Sequence, residues 1–555
     1  MMSLVAVSLL TSSSFSFAPA ARPDVVFILA DDLGYNELNF QNTTRGIFTP
    51  NLDVLAGDGV VLKNYYVAPI CSPTRSALMT GRYMVRLGTQ SNVIYWDTPW
   101  GVALNETFIA QHFQRAGYAT ALFGKWHLGM YKKEYTPSFR GFDEHVGYLQ
   151  GCGSAYTHVA ACCTPGSPDN DTNFVCKAPD GKDYRGYDWF TAKQNEEVVA
   201  DPSVNGTNSA ALVRDAAVDF IKRQSAADRS FFLYLPFQNV HNPYTCDPSY
   251  RAPYEEQPSR FTQEEMTMFG YISELDDAVG VVVRQLNASG RYARSLVVFS
   301  SDNGAPPAGD DVDHPKPDDR AHIARNHPFR GWKSQIWEGG VRVAGFVSGG
   351  SALLPAAVRG TASHKLYHVT DWLPTLTAAA GVSSTPDTPS LALDGHNIWA
   401  SLVDADTPSP RTELLYNVNP LCHAGQAGPP KAAIRVGRFK LLAWCFSVAG
   451  IGGANTTGPI ASRPGDEHYD PAFAKDRGLA LFDLDADPAE TTNLVPAKTH
   501  DETVEKLLAR LEAIAIQMVE PQQWVPPYQG AGYECADCPL HPAGKGPAIP
   551  WGPWL

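Results

Sequence analysis

Four short clusters of polar residues, each close behind an apolar run, contain the side chains best suited to chemistry. They are Asp31 and Asp32 after DVVFILA, Lys125 and His127 after ATALF, His241 after FFLYLPF, and Asp302 and Asn303 after SLVVFS. Continuous apolar runs bounded by polar residues are typical of strands that are covered on both faces. In open α/β sheets the ligand crevice lies beyond the carboxyl ends of the strands. We therefore predict that the four clusters converge on one site.

The acidic pairs in these clusters indicate a metal site. Asp31, Asp32, Asp302 and Asn303 offer short, rigid oxygen donors, which hard cations such as Ca²⁺ prefer. Three converging carboxylates would repel one another strongly without a cation. No spacing among the cysteines makes a convincing four-ligand zinc site. Either pair alone could consist of turn residues that cap helices, but both pairs together favour calcium.

The segment CSPTRSALMTGR, which begins at Cys71, has the pattern of a helix that starts at an anion site. Pro73 suits the first helical position, which predicts Ser72 as the N-cap, and Gly81 is a typical helix stop. Cys71 and Arg75 are four residues apart, near one face of a helix N-terminus that favours anions. These residues alone suggest a thiolate nucleophile beside an arginine, as in a phosphatase.

The same segment resembles a family signature. C-x-P-x-R followed by T-G-R closely resembles the sulfatase signature, in which the cysteine is oxidised to formylglycine. GYATALFGKWH at 117–127 resembles the second sulfatase signature, and DNG at 302–304 and LFDLDADPAETTNL at 481–494 match the same family. The resemblance runs from about residue 24 to about residue 495. GKWHLGMYKKEYTPSFRGFDEHVGYL and GWKSQIWEGGVR look most like the arylsulfatase B group, which acts on N-acetylgalactosamine 4-sulfate.

The resemblance implies a complete mechanism for sulfate-ester hydrolysis. Cys71 would become formylglycine, hydrated to a geminal diol, and would share one Ca²⁺ with the four metal ligands Asp31, Asp32, Asp302 and Asn303. The diol would attack sulfur, form a covalent sulfated enzyme and then eliminate sulfate. The remaining roles would fall to five cations and bases. Arg75 and Lys125 would hold the diol, His127 would be the base for elimination, and Lys125, His241 and Lys333 would bind the sulfate, with the last two protonating the leaving group.

The implied fold is an alkaline-phosphatase-like α/β sandwich. It has a large mixed, mostly parallel central sheet flanked by helices, and a smaller C-terminal α+β domain with an antiparallel sheet. Residue patterns predict helices over 107–116, 210–223, 262–286 and 368–380, and late strands over 433–436, 439–444 and 479–484. We predict a signal peptide at 1–20, a catalytic domain at 21–400, a smaller domain at 401–520 and a tail at 521–555. The long loops at 151–190 and 304–330 are expected to shape the sugar site.

Composition limits the partners. The 555 residues have a formal net charge of -14, which argues against nucleic acid or anionic lipid as a ligand. An anionic substrate therefore needs a local cationic pocket.

An apolar N-terminal run ends in Ala18-Pro19-Ala20, and no later run is long enough to span a bilayer. This pattern predicts the secretory pathway, with a lysosomal or extracellular destination. Six N-x-S/T sequons agree, at Asn42, Asn105, Asn170, Asn205, Asn287 and Asn455. Plausible disulfides join Cys422 to Cys445, Cys176 to Cys162 or Cys163, and Cys535 to Cys538, with the connectivity open.

Two other functions remain to be weighed. A phosphomonoester or phosphonate hydrolase of the same superfamily would also bind a tetrahedral anion, and a catalytically dead relative could bind sulfated glycans. The complete set of Cys71, carboxylates and cations argues against the inactive relative. The expected partners are a sulfated small molecule or glycan and a formylglycine-generating enzyme. The sequence leaves open the natural sulfate ester, the oligomeric state and the role of residues 521–555.

Overall fold

The computed structural model describes residues 22–41, 45–95, 98–161, 185–307, 325–420, 430–444, 446–447, 458–459, 478–522 and 549–550. Its helices are α1 (Pro50–Gly57), α2 (Cys71–Thr80), α3 (Met84–Leu87), α4 (Ile109–Arg115), α5 (Ser209–Ala226), α6 (Pro248–Glu255), α7 (Gln263–Ala288), α8 (Glu338–Val341), α9 (Trp372–Ala379), α10 (Trp399–Val403) and α11 (Asp501–Ala515). None of these helices is long and apolar enough to cross a membrane.

The strands follow the apolar runs of the sequence closely. They are β1 (Asp24–Ala30), β2 (Val60–Tyr66), β3 (Ala119–Lys125), β4 (Glu144–Tyr148), β5 (Val159–Ala161), β6 (Arg185–Tyr187), β7 (Phe190–Lys193), β8 (Val199–Ala200), β9 (Phe231–Pro236), β10 (Ser295–Ser301), β11 (Gly345–Gly349), β12 (Thr361–His368), β13 (Glu413–Val418), β14 (Ala432–Val436), β15 (Phe439–Ala443), β16 (Phe446–Ser447), β17 (Gly458–Pro459), β18 (Leu479–Asp483) and β19 (Ile549–Pro550). The first and last residues of each predicted strand lie within two residues of those of an observed strand. This agreement is expected, because β-branched and aromatic residues bounded by turn formers mark a buried strand.

Ten strands form the central sheet, in the order β12-β2-β11-β10-β1-β9-β3-β4-β7-β8. The five central strands, from β10 to β4, are parallel to one another, whereas β11, β7 and β8 pair antiparallel with their neighbours. Alternate residues of β1 enter two different cores. Val25, Phe27 and Leu29 pack on one face, and Val26, Ile28 and Ala30 pack on the other. Helices therefore cover both faces, and the predicted α/β sandwich is confirmed.

A second sheet forms late in the chain. Its four strands are antiparallel, in the order β13-β14-β15-β18, and α11 packs against it through an apolar face that includes Val504, Leu507 and Leu511. Trp337, which precedes α8, enters the same core and contacts the rings of Trp444 and Phe482. The smaller antiparallel sheet is thus confirmed, while the proposed boundary near residue 400 stays a prediction.

The start of α2 differs from the prediction. The helix begins at Cys71 with Ile70 as its N-cap, so Ser72 lies inside the first turn and is not the cap. The N–H of Thr74 donates to the Ile70 carbonyl, which begins the helical hydrogen bonds two residues earlier than expected. Pro73 tolerates this position because first-turn N–H groups have no partner within the helix. Gly81 ends the helix with a φ of 68°, as predicted.

Several sequence predictions concern residues outside the described ranges. They are the signal peptide, most of the two long loops, the C-terminal tail, and at least one cysteine of every proposed disulfide. Three of the six sequons, at Asn105, Asn205 and Asn287, are described, and each asparagine is exposed. These three positions are therefore accessible for glycosylation.

Candidate active site

The parallel strands β10, β1, β9 and β3 are neighbours in the sheet, so their carboxyl ends meet at one edge. The side chains at this edge are, in sheet order, Asp302 and Asn303, Asp31 and Asp32, His241, and Lys125 with His127. Backbone hydrogen bonds continue past the strand ends, since the N–H of Asp31 donates to Asn239 and that of Asp302 donates to Ala30. The structure thus brings the four predicted clusters together, and Cys71 and Lys333 join them.

Cys71 lies at the centre of the cluster and is almost fully buried. Its Sγ is 3.8 Å from Oδ1 of Asp31, and the other oxygen of that carboxylate accepts a hydrogen bond from Lys125 Nζ at 2.6 Å. Burial and the neighbouring Asp302 raise the pKa of Asp31 to about 7, although Lys125 and Arg75 oppose this shift. The carboxylates repel one another at this point, as expected of a cation site whose ligands converge.

Arg75 fixes one side of the cluster. Its Nε and Nη2 donate to Oδ2 of Asp302 at 3.1 and 2.7 Å, and Nη2 is 3.6 Å from Asp31. Arg75 and Asp302 are fully buried. Burial alone would raise the pKa of Asp302, but Arg75 and Lys125 outweigh it and lower that pKa. Arg75, which shares a helix with Cys71, therefore holds the carboxylate of Asp302, which directly follows strand β10.

Asp32 contacts Lys333 and His241 on another side of the cluster. Asp32 Oδ2 accepts a hydrogen bond from Lys333 Nζ at 2.8 Å and lies 3.6 Å from His241 Nε2. Lys333 Nζ is also 3.2 Å from His241 Nε2, while His241 Nδ1 is 2.6 Å from the Asn242 carbonyl. Because a carbonyl only accepts, Nδ1 carries the hydrogen and Nε2 accepts from Lys333. Burial, followed by Lys333, lowers the pKa of His241 to about 3, so its ring is neutral.

His127 lies deeper in the site and has an unusual backbone. Its φ is 61°, a left-handed value that is rare outside glycine. The N–H of His127 donates to the Leu149 carbonyl at 3.1 Å, and the Ser72 hydroxyl donates to the His127 carbonyl at 2.9 Å. Burial, followed by Lys125 and Arg75, lowers the pKa of His127 well below its ordinary value. Nδ1 is buried with no hydrogen-bond partner in the described structure, so a neutral base is available.

Sequence reasoning missed the residues that support His127. The sequence predicts Ser72 as a helix cap, but its hydroxyl donates to the His127 carbonyl and also accepts the N–H of Ile94. Asp188 accepts the N–H groups of Leu149 and Gln150, which follow the strand beside His127. The available signal for Ser72 was its place inside the signature, whereas nothing near Asp188 in the sequence links it to residue 127.

The donor set fits a hard divalent cation. Single ligand atoms of Asp31, Asp32, Cys71 and His241 lie within 4.8 Å of one another, all of them buried. Asn303 donates through Nδ2 to Oδ1 of Asp32 at 2.7 Å, and its buried Oδ1 has no partner among the described residues. A buried amide oxygen without a partner needs an explanation, and such an oxygen is among the ligands that Ca²⁺ takes in proteins. The predicted set of Asp31, Asp32, Asp302 and Asn303 therefore fits this ion chemically.

Comparison with known proteins agrees with this geometry. The family model described as Sulfatase matches residues 23–382. Arylsulfatase J of Mus musculus is 32% identical over 89% of this chain and 76% of its own length, and arylsulfatase A of Homo sapiens is 29% identical over 88% of this chain and 86% of its own. The crystal structure of the PsFucS1 sulfatase from Pseudoalteromonas sp. superimposes with a TM-score of 0.67 at 22% identity, covering 89% of this chain and 90% of that one.

These similarities extend over the residues that form the site. The family match includes the strand ends, the Cys71 helix and Lys333. The relatives match most of the chain, including segments beyond that region. The structural neighbour shows that a solved sulfatase has a similar fold. By both sequence and fold, the chain belongs to the sulfatase family and is a sulfuric ester hydrolase.

Proposed function

We propose that this enzyme hydrolyses sulfate esters, aryl sulfates in assay and sulfated sugars such as N-acetylgalactosamine 4-sulfate in nature, with formylglycine at position 71 and one Ca²⁺. The observation that carries the proposal is the environment of Cys71. Its side chain is buried beside Asp31 and within the field of Lys125 and Lys333. A residue placed there can meet a tetrahedral anion and a cation at once.

The unmodified thiol is a poor nucleophile at this position. Burial, together with Asp302 and Asp31, raises the pKa of the Cys71 thiol to about 12 despite the nearby lysines. A cysteine that attacks directly needs a lowered pKa, because the thiolate is the reactive form. The residues of the site alone therefore give no activation of a thiolate, and we choose oxidation of Cys71 to an aldehyde, whose hydrate offers an oxygen nucleophile, on the resemblance of CSPTR to the sulfatase signature.

The protein residues would hold the cation and the substrate in fixed positions. Asp31, Asp32, Asp302 and Asn303 would bind Ca²⁺, which when present acts as a Lewis acid and neutralises the carboxylates. Arg75 keeps Asp302 oriented through two hydrogen bonds. These residues are buried, so little reorganisation would accompany the reaction.

The sulfate group would bind between three cationic or polar side chains. Lys125, His241 and Lys333 line the space around Cys71, and the field of Lys333 reaches both the thiol and Asp32. Lys333 Nζ carries the proton that it shares with His241 Nε2, and we assign the protonation of the leaving oxygen to this pair. His127, neutral and with a free Nδ1, would accept the proton that is released when sulfate leaves residue 71.

We also propose passage through the secretory pathway, with a lysosomal or extracellular destination. The apolar N-terminal run and the sequons support this, and the three described sequon asparagines are exposed. A formylglycine-generating enzyme would then act on the unfolded chain, because Cys71 is 2% exposed once folded.

Parallel assays on aryl sulfate and aryl phosphate test the reaction class. We expect kcat/KM for 4-nitrocatechol sulfate to exceed that for 4-nitrophenyl phosphate by at least about 100-fold, equal to about 2.7 kcal/mol of transition-state stabilisation. Cys71→Ala should abolish sulfate release, since no nucleophile remains. Faster phosphate release would favour the phosphomonoester or phosphonate hydrolase, and full sulfate release by Cys71→Ala would overturn the role of this residue.

A further inference from the structure

The segment Arg330–Arg342, here called the lysine loop, connects the active site to the smaller sheet. The N–H of Gly339 donates to the Arg330 carbonyl at 2.6 Å and closes the loop. Near its tip, the N–H of Lys333 donates to Ala305 at 3.1 Å, and the next N–H along the loop donates to the Pro69 carbonyl at 2.7 Å. The tip therefore lies between the residues that follow β10 and those that precede Cys71.

The base of the lysine loop is anchored by Glu338. One carboxylate oxygen accepts a hydrogen bond from the Tyr66 hydroxyl at 2.7 Å. The other accepts hydrogen bonds from Lys440 Nζ and the Tyr416 hydroxyl, both at 3.0 Å. Lys440 belongs to β15 and Tyr416 to β13, so two strands of the smaller sheet contact one side chain of the loop.

Lys440 has a second contact that fixes the loop backbone. Its Nζ lies 2.8 Å from one oxygen of Glu490, and the other oxygen of Glu490 accepts the N–H of Glu338 at 2.7 Å. Lys440, Glu338 and Glu490 are each fully buried. Burial alone would raise the pKa of Glu338, but Lys440, Arg342 and Arg435 lower it to about 2.

The charges of this buried network depend on one another for compensation. Each charge has lost its hydration, so each group needs the partners that the fold supplies. Lys440 supplies the one buried lysine charge that contacts the Glu338 carboxylate among the described residues, and Glu490 accepts the Glu338 N–H. Lys333 is five residues away, and the loop is closed at Arg330, so displacement of the base would move the tip.

We propose that Lys440 is a positioning residue which, through Glu338, holds the lysine loop so that Lys333 faces Asp32 and His241. The smaller sheet then sets the geometry of the sulfate-binding cation, although Lys440 contacts no substrate. This inference rests on the proposed role of Lys333 in binding sulfate. Displacing a substrate-binding group by about 1 Å from a distance can cost about 100-fold in rate.

The test is inhibition by inorganic sulfate, which needs anion binding but no turnover. Lys440→Met keeps the length and apolar stem of the side chain and removes its charge. We expect the inhibition constant for sulfate and the KM for 4-nitrocatechol sulfate to rise together by at least about fivefold, with an unchanged formylglycine content. The matched control is Arg411→Met, which breaks another fully buried ion pair, with Asp371, away from the lysine loop. This control should lower the Tm while leaving the inhibition constant as it is.

A rise of less than about fivefold in folded Lys440→Met, or an equal rise in Arg411→Met, would overturn the inference. If Lys440→Met does not fold, Glu490→Gln decides, because it keeps the shape and the acceptor for the Glu338 N–H. A rise of at least about threefold in its sulfate inhibition constant supports the inference, and a smaller one overturns it. Wild-type protein that releases no sulfate would instead contradict the proposed function itself.

Discussion

Lys333 and His241 are hydrogen-bonded to each other, and we propose that they act as a proton-donating pair whose charge lies on the lysine. Burial alone would lower the pKa of Lys333, but Asp32 outweighs it and raises that pKa well above its ordinary value. Burial lowers the pKa of His241 to about 3, which keeps its ring neutral. The histidine accepts from the lysine at Nε2. A pair of this kind can pass a proton to a departing alcohol oxygen, which is a poor leaving group without protonation.

This assignment predicts a dependence on the leaving group. In His241→Gln, kcat/KM for a sugar sulfate should fall by about 100- to 10,000-fold, and that for 4-nitrocatechol sulfate by about tenfold or less, because a phenolate leaves without a proton. Rates measured over a series of sulfate esters with different leaving-group pKa values provide the check. The exposed His364 on β12 offers a control, since His364→Gln should change neither rate. Equal losses for the two substrates would refute the acid role.

At the scale of elements, the sequence predicted strands better than it predicted their contacts. β1 has the predicted ends, Asp24 and Ala30, because both faces are buried and the whole run is apolar. β2 and β12 were missed because they include polar residues such as Lys63 and His364, which are typical of partly exposed strands near a sheet edge. The polar clusters at the strand ends could be predicted because parallel strands must place their carboxyl ends together.

The supporting contacts of the site could not be predicted in the same way. Glu338 and Lys440 are 102 positions apart, and no local pattern links them. The start of α2 was misplaced because Ser and Pro are equally compatible with several first-turn positions. The formylglycine at position 71 was predicted from the family resemblance, because the residue types alone suggested a thiolate. The metal ligands, by contrast, were predicted from the acidic pairs at the strand ends.

The turn after β4 supplies the space that His127 occupies. A Cβ added to Gly151 would lie 2.7 Å from Cε1 and 2.9 Å from Nε2 of His127, closer than carbon atoms normally approach. Gly153, two residues later, would place its Cβ no closer than 3.3 Å to the Val159 carbonyl oxygen. The two glycines therefore differ in their effect on the imidazole ring, although they lie in the same turn.

Alanine at these two positions tests whether the ring position matters for turnover. We expect Gly151→Ala to lower kcat for aryl sulfate by at least about tenfold, because the ring must move, and Gly153→Ala to change it by about twofold or less. Steady-state kinetics with thermal unfolding of both variants would separate a local effect from a loss of stability. Full kcat in Gly151→Ala would show that His127 needs no fixed position.

At the scale of the whole molecule, the proposed metal site joins distant parts of the chain. Asp31, Asp302 and Cys71 come from segments up to 271 positions apart, and they meet at the carboxyl edge of the central parallel strands. A cation bound there would stabilise only the folded chain, since the unfolded chain does not bring the ligands together. Calcium should therefore affect the free energy of unfolding as well as the reaction.

We expect calcium removal to lower the Tm. Stabilisation should reach about 2.7 kcal/mol at a Ca²⁺ concentration of about 100 Kd, and Mg²⁺ should replace it poorly because it requires a smaller octahedral site. Thermal unfolding with chelator, with Ca²⁺ and with Mg²⁺ measures this. Asp302→Asn should abolish the dependence on Ca²⁺. An identical Tm under all three conditions in the wild type would exclude the proposed site.

The modification state of residue 71 tests the central claim most directly. Trypsin should release the peptide from Asn64 to Arg75, which contains Cys71 and no other cysteine. Mass spectrometry of this peptide from active enzyme, co-expressed with a formylglycine-generating enzyme, should show loss of one sulfur and two hydrogens and gain of one oxygen. The aldehyde should also react with a hydrazide probe. An unmodified thiol in all of the enzyme that releases sulfate would contradict the account.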